Sequence, residues 1–352
     1  MSEIKFGIIG SGRMAATMAV AFGKLSGAKV VAVASESAGR AEACSKHFAI
    51  PKAYNQIKDL LADSEIDAVY IANATESHAQ TTIQALTAGK AVLCEKPIAI
   101  SAAESEQIEA AAARSGKLCM EAMWTLFLPA YKRLFEMSEA RAVGAPLHLY
   151  TDFGYPVSQQ AYPRLFSPVP GSGVLLDRGV YPIALALKLF GSAKKVSGNL
   201  NVTANGVDTE AFLAISHDNG CYSQLAVSIN ALLQNRAVLS CVGGSISLEP
   251  PVIGAEAVAV RRILPDDKVS SFDAAGTLVS FKQRLRQLPV LRRINSLKNG
   301  LSNEYHSWGA NQYLPVLNHF CELFRAQKLE SEIMPLRLST QVLQVIDQAK
   351  QL

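Results

Sequence analysis

No apolar run in this chain approaches the roughly 20 residues that cross a bilayer, so no membrane-spanning helix is expected. The first residues, Met1-Ser2-Glu3-Ile4-Lys5, carry charge where a signal segment would be apolar, and a cytoplasmic location is the expectation. Six cysteines, Cys44, Cys94, Cys119, Cys221, Cys241 and Cys321, lie far apart without a C-x-x-C pair. That spacing argues against a disulfide framework and against a zinc site, and reads most of them as small core residues, with no metal expected. The chain also lacks internal repeats and low-complexity tracts. Charged residues make up only 18% of the 352 positions and hydrophobic ones 49%, which excludes disorder over most of the length and provides a core large enough for two domains. The formal charge of +4 does not require an anionic partner, because residues 282–298 hold six basic side chains and no acid, and without them the balance is −2. Spaced among Leu and Val, that segment reads as a solvated amphipathic face, with a dimer element or a membrane-surface patch as alternatives. One basic run without an accompanying motif gives no reason to expect nucleic-acid binding.

Up to about Ala122 the chain alternates strand and helix. Apolar runs at Phe6–Ile9, Val30–Ala34, Ala68–Ala72, Ala91–Cys94 and Leu118–Glu121 are separated by helical spacing at Ala15–Leu25, Ala38–Phe48, Ser77–Ala88 and Ser101–Ser115. Such alternation predicts a parallel sheet with crossover helices, and Gly89 and Gly116 stand where helices end in a left-handed residue. The second half reads as a helix near Leu128–Met137, then strands at Leu147–Phe153, Lys195–Thr203, Glu210–Ser216, Cys221–Asn230, Ala237–Val242, Ser245–Glu249 and Val258–Ile263, and a final helical pair, Tyr313–Gln327 and Leu338–Leu352. Short turns at His217-Asp218-Asn219-Gly220 and Gly243-Gly244 predict hairpins. The expected fold is therefore α/β: an N-terminal Rossmann parallel sheet over residues 1–122, and over 123–352 an α+β domain with a large, mostly antiparallel sheet that binds substrate and makes the oligomer contact.

The turn Gly10-Ser11-Gly12-Arg13-Met14-Ala15 follows the first strand and opens a helix. Gly10 permits a tight turn, Gly12 lets backbone approach a pyrophosphate, and Ala15 allows close packing of helix on strand, so a dinucleotide is the expected cofactor. At the end of the second strand, Ser35 occupies the position that contacts the adenosine ribose, with Ser37 and Arg40 in reach. A small hydroxyl with a nearby Arg suits a 2'-phosphate and favours NADP over NAD. Glu36 is either a ribose-binding carboxylate or a solvated charge. Lys96 ends the strand Leu93-Cys94-Glu95 and precedes Pro97; an ammonium there polarises a hydroxyl or carbonyl and depresses the pKa of a neighbouring acid–base group. Lys96-Pro97 is a candidate cis bond.

The glycine turn, Glu95-Lys96-Pro97, Met120-Glu121-Ala122-Met123-Trp124 and Leu175-Leu176-Asp177-Arg178-Gly179-Val180-Tyr181-Pro182 together resemble the glucose-fructose oxidoreductase/inositol dehydrogenase (Gfo/Idh/MocA) family, and within it the branch of dimeric dihydrodiol dehydrogenases. The likeness spans nearly the whole chain. It implies hydride transfer between NAD(P) and a carbon bearing a sugar, polyol or diol hydroxyl, in a homodimer. It also implies a catalytic role for Lys96, substrate orientation by Asp177 and proton transfer by Tyr181, where many sugar dehydrogenases of the family carry His. The cofactor loop would supply Asn73, Thr75 and His78, His78 either bracing that loop or meeting the nicotinamide, with Arg13, Met14, Ser11 and Glu95 lining the same cleft. Trp124, Phe153 and Arg164 are candidates for the substrate side. Two departures from the branch stand out, Leu126 in place of an Arg and Arg178 in place of an Ile, and a pocket without the former holds anionic substrates less well. A lactone-forming aldose dehydrogenase and a catalytically idle nucleotide sensor are the alternatives.

Overall fold

The structure, a computed structural model, describes residues 3–263 and 301–352. The basic segment 282–298 lies outside the described residues. Strands β1 (Ile4–Ile9), β2 (Ala28–Ala34), β3 (Lys52–Tyr54), β4 (Ala68–Ile71), β5 (Ala91–Cys94) and β6 (Cys119–Glu121) form one parallel sheet in the order β3-β2-β1-β4-β5-β6. This order reverses between β1 and β4, and the crevice at the strand ends there is where open α/β sheets bind ligands. β4 and β5 are buried at every position, as continuous apolar runs covered on both faces require. Helices α1 (Arg13–Phe22), α2 (Arg40–Phe48), α3 (Ile57–Ala62), α4 (His78–Thr87) and α5 (Ala102–Ser115) form its crossovers. Two helix ends follow local rules. Ser101 caps α5 by accepting from Glu104 N at 3.3 Å, while Glu104 reaches back to Ile100 N, and Gly116 closes the helix at φ +59°.

The second sheet has eight strands: β7 (Pro146–Gly154), β8 (Ala193–Val202), β9 (Asp208–His217), β10 (Tyr222–Ser228), β11 (Ala237–Cys241), β12 (Gly244–Leu248), β13 (Ala257–Arg262) and β14 (Leu301–Tyr305). Their order is β14-β13-β12-β11-β7-β10-β9-β8, antiparallel except where β10 runs parallel to β7. Both expected hairpins are present, β9–β10 through Gly220 at φ +84° and β11–β12 through Gly243-Gly244. Helices α6 (Pro129–Glu139) and α7 (Val180–Phe190) pack on one face of this sheet. Its outward positions include the exposed Leu147, Phe212 and Tyr222. The last helices, α8 (Leu314–Arg325) and α9 (Leu336–Ala349), return to the first sheet's layer: Phe320 stacks on Phe6 at 5.6 Å between centroids, and Asp347 accepts from Ala102 N at 2.9 Å. Four elements, β3, α3, α7 and β14, were not among the runs expected from sequence. β3 and α3 are too brief for a periodic signal, and α7 is apolar all round because it lies buried between sheet and α9, so it carries no polar stripe. No helix among the described residues is long and apolar enough to cross a membrane.

Candidate active site

The glycine turn sits at the carboxyl end of β1. Gly10 has φ +113°, and a Cβ there would lie 2.3 Å from the backbone oxygen of Ala72, so the turn is pressed against the end of β4 and admits no side chain. Gly12 is the opposite case, because a Cβ there meets nothing within 4 Å and would project into open space. Gly12 is also the N-cap of α1, with no side-chain cap and no acid in the first turn. The first amides of the helix are thus left free to receive an anion, with the positive end of the dipole behind them. Ala15 is fully buried under the helix, as close packing on the strand requires.

From this turn a groove of about 490 Å³ runs past the end of β2, lined by Gly10, Ser11, Gly12, Ser35, Glu36, Ser37, Arg40, Asn73 and Arg164 among others. Ser11 and Ser35 share a hydrogen bond of 2.9 Å between their hydroxyls, and Arg40 donates to Ser11 O at 3.0 Å, which draws a guanidinium to the end of β2. Asn73 donates to Thr81 Oγ1 at 2.9 Å, while its buried Oδ1 has no partner. An unpaired buried acceptor, an uncapped helix end and a glycine facing open space are what a pyrophosphate with flanking ribose hydroxyls would complete, so the residues present fit a dinucleotide.

Beyond Arg164 a second cavity, also about 490 Å³, lies between the two sheets. It is lined by Arg13, Met14, Thr75, Glu95, Lys96, Trp124, Arg164, Asp177 and Tyr181 from the sequence-derived set, and by Tyr155, Tyr162 and Tyr313, which sequence reasoning did not select. Tyr155 and Tyr162 belong to a long irregular stretch between β7 and the π-helical turn Leu175–Gly179; its length and proline content are the available signal, since long loops in compact domains commonly line sites. Tyr313, at the head of α8, reaches Trp124 at 5.0 Å between centroids, and nothing local in the sequence marks it. Two of the expected residues lie behind these walls. His78 is buried and donates from Nδ1 to Pro97 O at 2.8 Å, so it braces the Lys96 loop; burial lowers its pKa and keeps it neutral. Phe153 packs edge-on to Tyr181 at 5.9 Å.

Lys96 and Tyr181, 85 positions apart, come together in this cavity. The Lys96-Pro97 bond is cis. Lys96 Nζ donates to Asp177 O at 2.7 Å, lies 3.2 Å from Asp177 Oδ1, and sits 4.8 Å from the centre of the Tyr181 ring. Burial disfavours its charge, but Tyr181 and Glu95 in their ionised forms, and the Asp177 carboxylate it touches, outweigh that and raise its pKa, so the group is an ammonium at neutral pH. Trp124 Nε1 donates to Tyr181 Oη at 3.3 Å. One expectation needs correction. Lys96 and the indole do pull the phenol down, but burial is the larger effect and pushes Tyr181 up to about 12. Below the ammonium lies Glu95, buried, accepting from the Tyr70 hydroxyl and raised by burial, which tempers the local negative charge.

Comparison with known proteins bears on this arrangement. The sequence profile described as "Oxidoreductase family, NAD-binding Rossmann fold" matches residues 4–123, and that of the "GFO/IDH/MocA C-terminal domain" matches 131–247. The chain is 28% identical over 351 residues to the trans-1,2-dihydrobenzene-1,2-diol dehydrogenase of Mus musculus, covering 99% of this chain and 96% of the mouse protein. The enzyme of the same name from Bos taurus is 31% identical over 252 residues, 70% of this chain and 75% of the bovine one. Among solved structures, an aldose-aldose oxidoreductase from Caulobacter crescentus complexed with glycerol superposes with a TM-score of 0.79 at 19% identity, covering 98% of this chain and 96% of that one. With both family domains matched in order and the glycine turn at the switch point of the parallel sheet, the chain belongs to the GFO/IDH/MocA oxidoreductase family.

Proposed function

We propose that the protein is an NAD(P)-dependent dehydrogenase acting on the CH–OH carbon of a sugar, polyol or trans-dihydrodiol, with NADP the preferred cofactor. The observation that carries this reading is the meeting of Lys96, Asp177 and Tyr181 at the inner end of a groove suited to a dinucleotide. The names borne by the mouse and bovine relatives support the diol. Gly10, Ser11, Gly12, Arg13 and Met14 would hold the pyrophosphate end of the cofactor, Ser35, Ser37 and Arg40 the adenosine ribose and its 2'-phosphate, and Asn73, Thr75, Glu95 and Lys96 the inner end. When bound, the cofactor would supply hydride acceptor or donor chemistry for the substrate carbon, with Asn73, Thr75, Glu95 and Lys96 beside its reactive end.

The protein's own part is proton transfer and charge stabilisation. Tyr181, protonated at neutral pH, gives its proton to the substrate oxygen in reduction and takes it back in oxidation. The Lys96 charge stabilises the oxygen as it becomes negative, and Asp177 fixes the ammonium and accepts a substrate hydroxyl. Trp124 holds the phenol oxygen in place. A phenol held near 12 is a better acid than base, so oxidation should quicken with rising pH up to at least pH 10, while reduction stays level from pH 6 to 9. Six free thiols suit a reducing cytoplasm, and the open face bearing Leu147, Phe212 and Tyr222 suits a second copy of the chain, as a homodimer. The decisive experiment titrates NADPH and NADH by fluorescence, then follows turnover of diols and sugars by wild type and Tyr181→Phe. Turnover lost by about a hundredfold or more with cofactor affinity retained is expected; turnover unaffected by the substitution removes Tyr181 from the reaction.

A further inference from the structure

Arg178 is a charge at this site that the proposed reaction leaves unused, and only 2% of its surface is exposed. Among the described residues it has no close bidentate carboxylate. Nη1 donates instead to the carbonyl of Tyr155, at 2.7 Å, and to that of Ser228, while Nε lies 3.7 Å from Asp177 Oδ2. The guanidinium carbon stands 4.0 Å over the Tyr155 ring and 5.4 Å from that of Phe153. Burial lowers its pKa against the fields of Tyr155 and Asp177, but a guanidinium remains charged at any working pH. A fixed cation is therefore pressed against Tyr155, a residue 42% exposed that lines the inner cavity.

A tyrosine on a long loop is a poor binding surface if it must be ordered each time a ligand arrives. Here both its backbone and its ring are held beforehand, one by the carbonyl hydrogen bond and the other by the cation. We propose that Arg178 is a positioning residue that pre-forms Tyr155 as a flat aromatic platform, so that the pocket selects ring-shaped diols and pyranoses over open-chain polyols. This rests on the dehydrogenase reading above, because it takes the inner cavity to be the substrate pocket. An aliphatic side chain at 178 neither stacks nor donates, and a lysine keeps the charge without the planar fork.

The test assays the full chain as wild type, Arg178→Met, Arg178→Lys, Tyr155→Leu and the Arg178→Met/Tyr155→Leu double variant. Ring substrates are trans-1,2-cyclohexanediol and glucose; open-chain ones are glycerol and 1,2-propanediol. The ratio of ring to open-chain kcat/KM should fall about tenfold in Arg178→Met and in Tyr155→Leu, through KM and not kcat, with Arg178→Lys failing to restore it. The double variant should be no worse than either single one, since both break the same contact. Where open-chain turnover is too slow to measure, a rise in ring-substrate KM at retained kcat serves as the readout. Equal losses on both substrate classes, additive single effects or a loss in kcat alone overturn the proposal. Tyr155→Leu leaves the guanidinium in place and decides the matter if Arg178→Met does not fold. A wild type that turns over neither class overturns the dehydrogenase reading and this one with it, whereas normal turnover with an unchanged ratio overturns this one alone.

Discussion

The groove and the inner cavity are similar in size and opposite in construction. The groove is made chiefly of backbone and small hydroxyls at the ends of neighbouring strands of one parallel sheet, with two guanidinium groups, Arg40 from the first sheet's side and Arg164 from the irregular stretch after β7. The inner cavity is made of aromatic rings and charges drawn from both sheets and from the irregular stretch between β7 and α7. In the groove the geometry follows from glycine placement and helix direction, so a few local residues define it. In the cavity each chemical group depends on another from far away: Lys96 on Asp177, Tyr181 on Trp124, Tyr155 on Arg178.

The largest expected effect breaks the cavity while sparing the groove. Lys96→Met removes the positive charge beside Tyr181 and should lower kcat/KM by about 10³-fold, the scale of losing one preorganised charge contact at a developing oxyanion. Affinity for NADPH, measured by fluorescence, should change by less than about tenfold because the groove's phosphate-facing amides are untouched. A comparable loss of cofactor binding would show that the two cavities are not separable. The field of Lys96 on Tyr181 would also vanish, so any residual oxidation should need still higher pH.

A pair of glycine substitutions separates folding from binding within the groove itself. Gly10→Ala puts a methyl 2.3 Å from an immovable backbone oxygen at a φ of +113°, and should destabilise the protein by about 3 kcal/mol or more. Gly12→Ala meets no protein atom, so the melting temperature should hold while dinucleotide affinity falls about tenfold or more, the methyl occupying the pyrophosphate's approach. Thermal unfolding with and without NADPH distinguishes them. Equal melting temperatures for the two variants would contradict the contrast.

These contrasts also explain what could be read from sequence. The parallel sheet, the glycine turn, both hairpins and the left-handed caps at Gly89 and Gly116 follow from local rules, and they are where those rules place them. Lys96 and Tyr181 were legible through motifs, although their meeting is a long-range fact. Tyr155, Tyr162 and Tyr313 were not legible, because a tyrosine looks the same in sequence whether it faces solvent or a pocket, and only the folded path of the irregular stretch brings the Tyr162 ring under the Arg13 guanidinium, 4.6 Å from its centre, and pairs Arg164 with Glu76. The net rise of the Tyr181 pKa was missed for a related reason. A neighbouring cation can be guessed from a motif, but the extent of desolvation is a property of the whole packed site.

A smaller effect sharpens the outer end of the groove. Arg40→Ala takes away the guanidinium that stands beside Ser11 and Ser35, and should weaken NADPH by about 10- to 100-fold, the range for a charge-assisted hydrogen bond, while NADH changes little. Equal loss for both cofactors would place Arg40 on the pyrophosphate instead.

The smallest effect tests a buried carboxyl that lines neither cavity. Glu121, at the end of β6, accepts from Ile98 N at 3.1 Å just past the Lys96 loop, and burial raises its carboxyl to about 7, well above its ordinary value. A folded-state acid with a raised pKa holds a proton that the unfolded chain has lost, so it contributes stability at acid pH that drains away as pH climbs from about 4.5 through 7. Glu121→Gln keeps an oxygen for Ile98 N–H and cannot ionise. The variant should therefore melt close to wild type at pH 5 and higher at pH 8, by on the order of 1–2 kcal/mol, or about 2–4 °C. A difference in melting temperature that is the same at both pH values would mean that Glu121 keeps one protonation state across this window and contributes nothing to the pH dependence of stability.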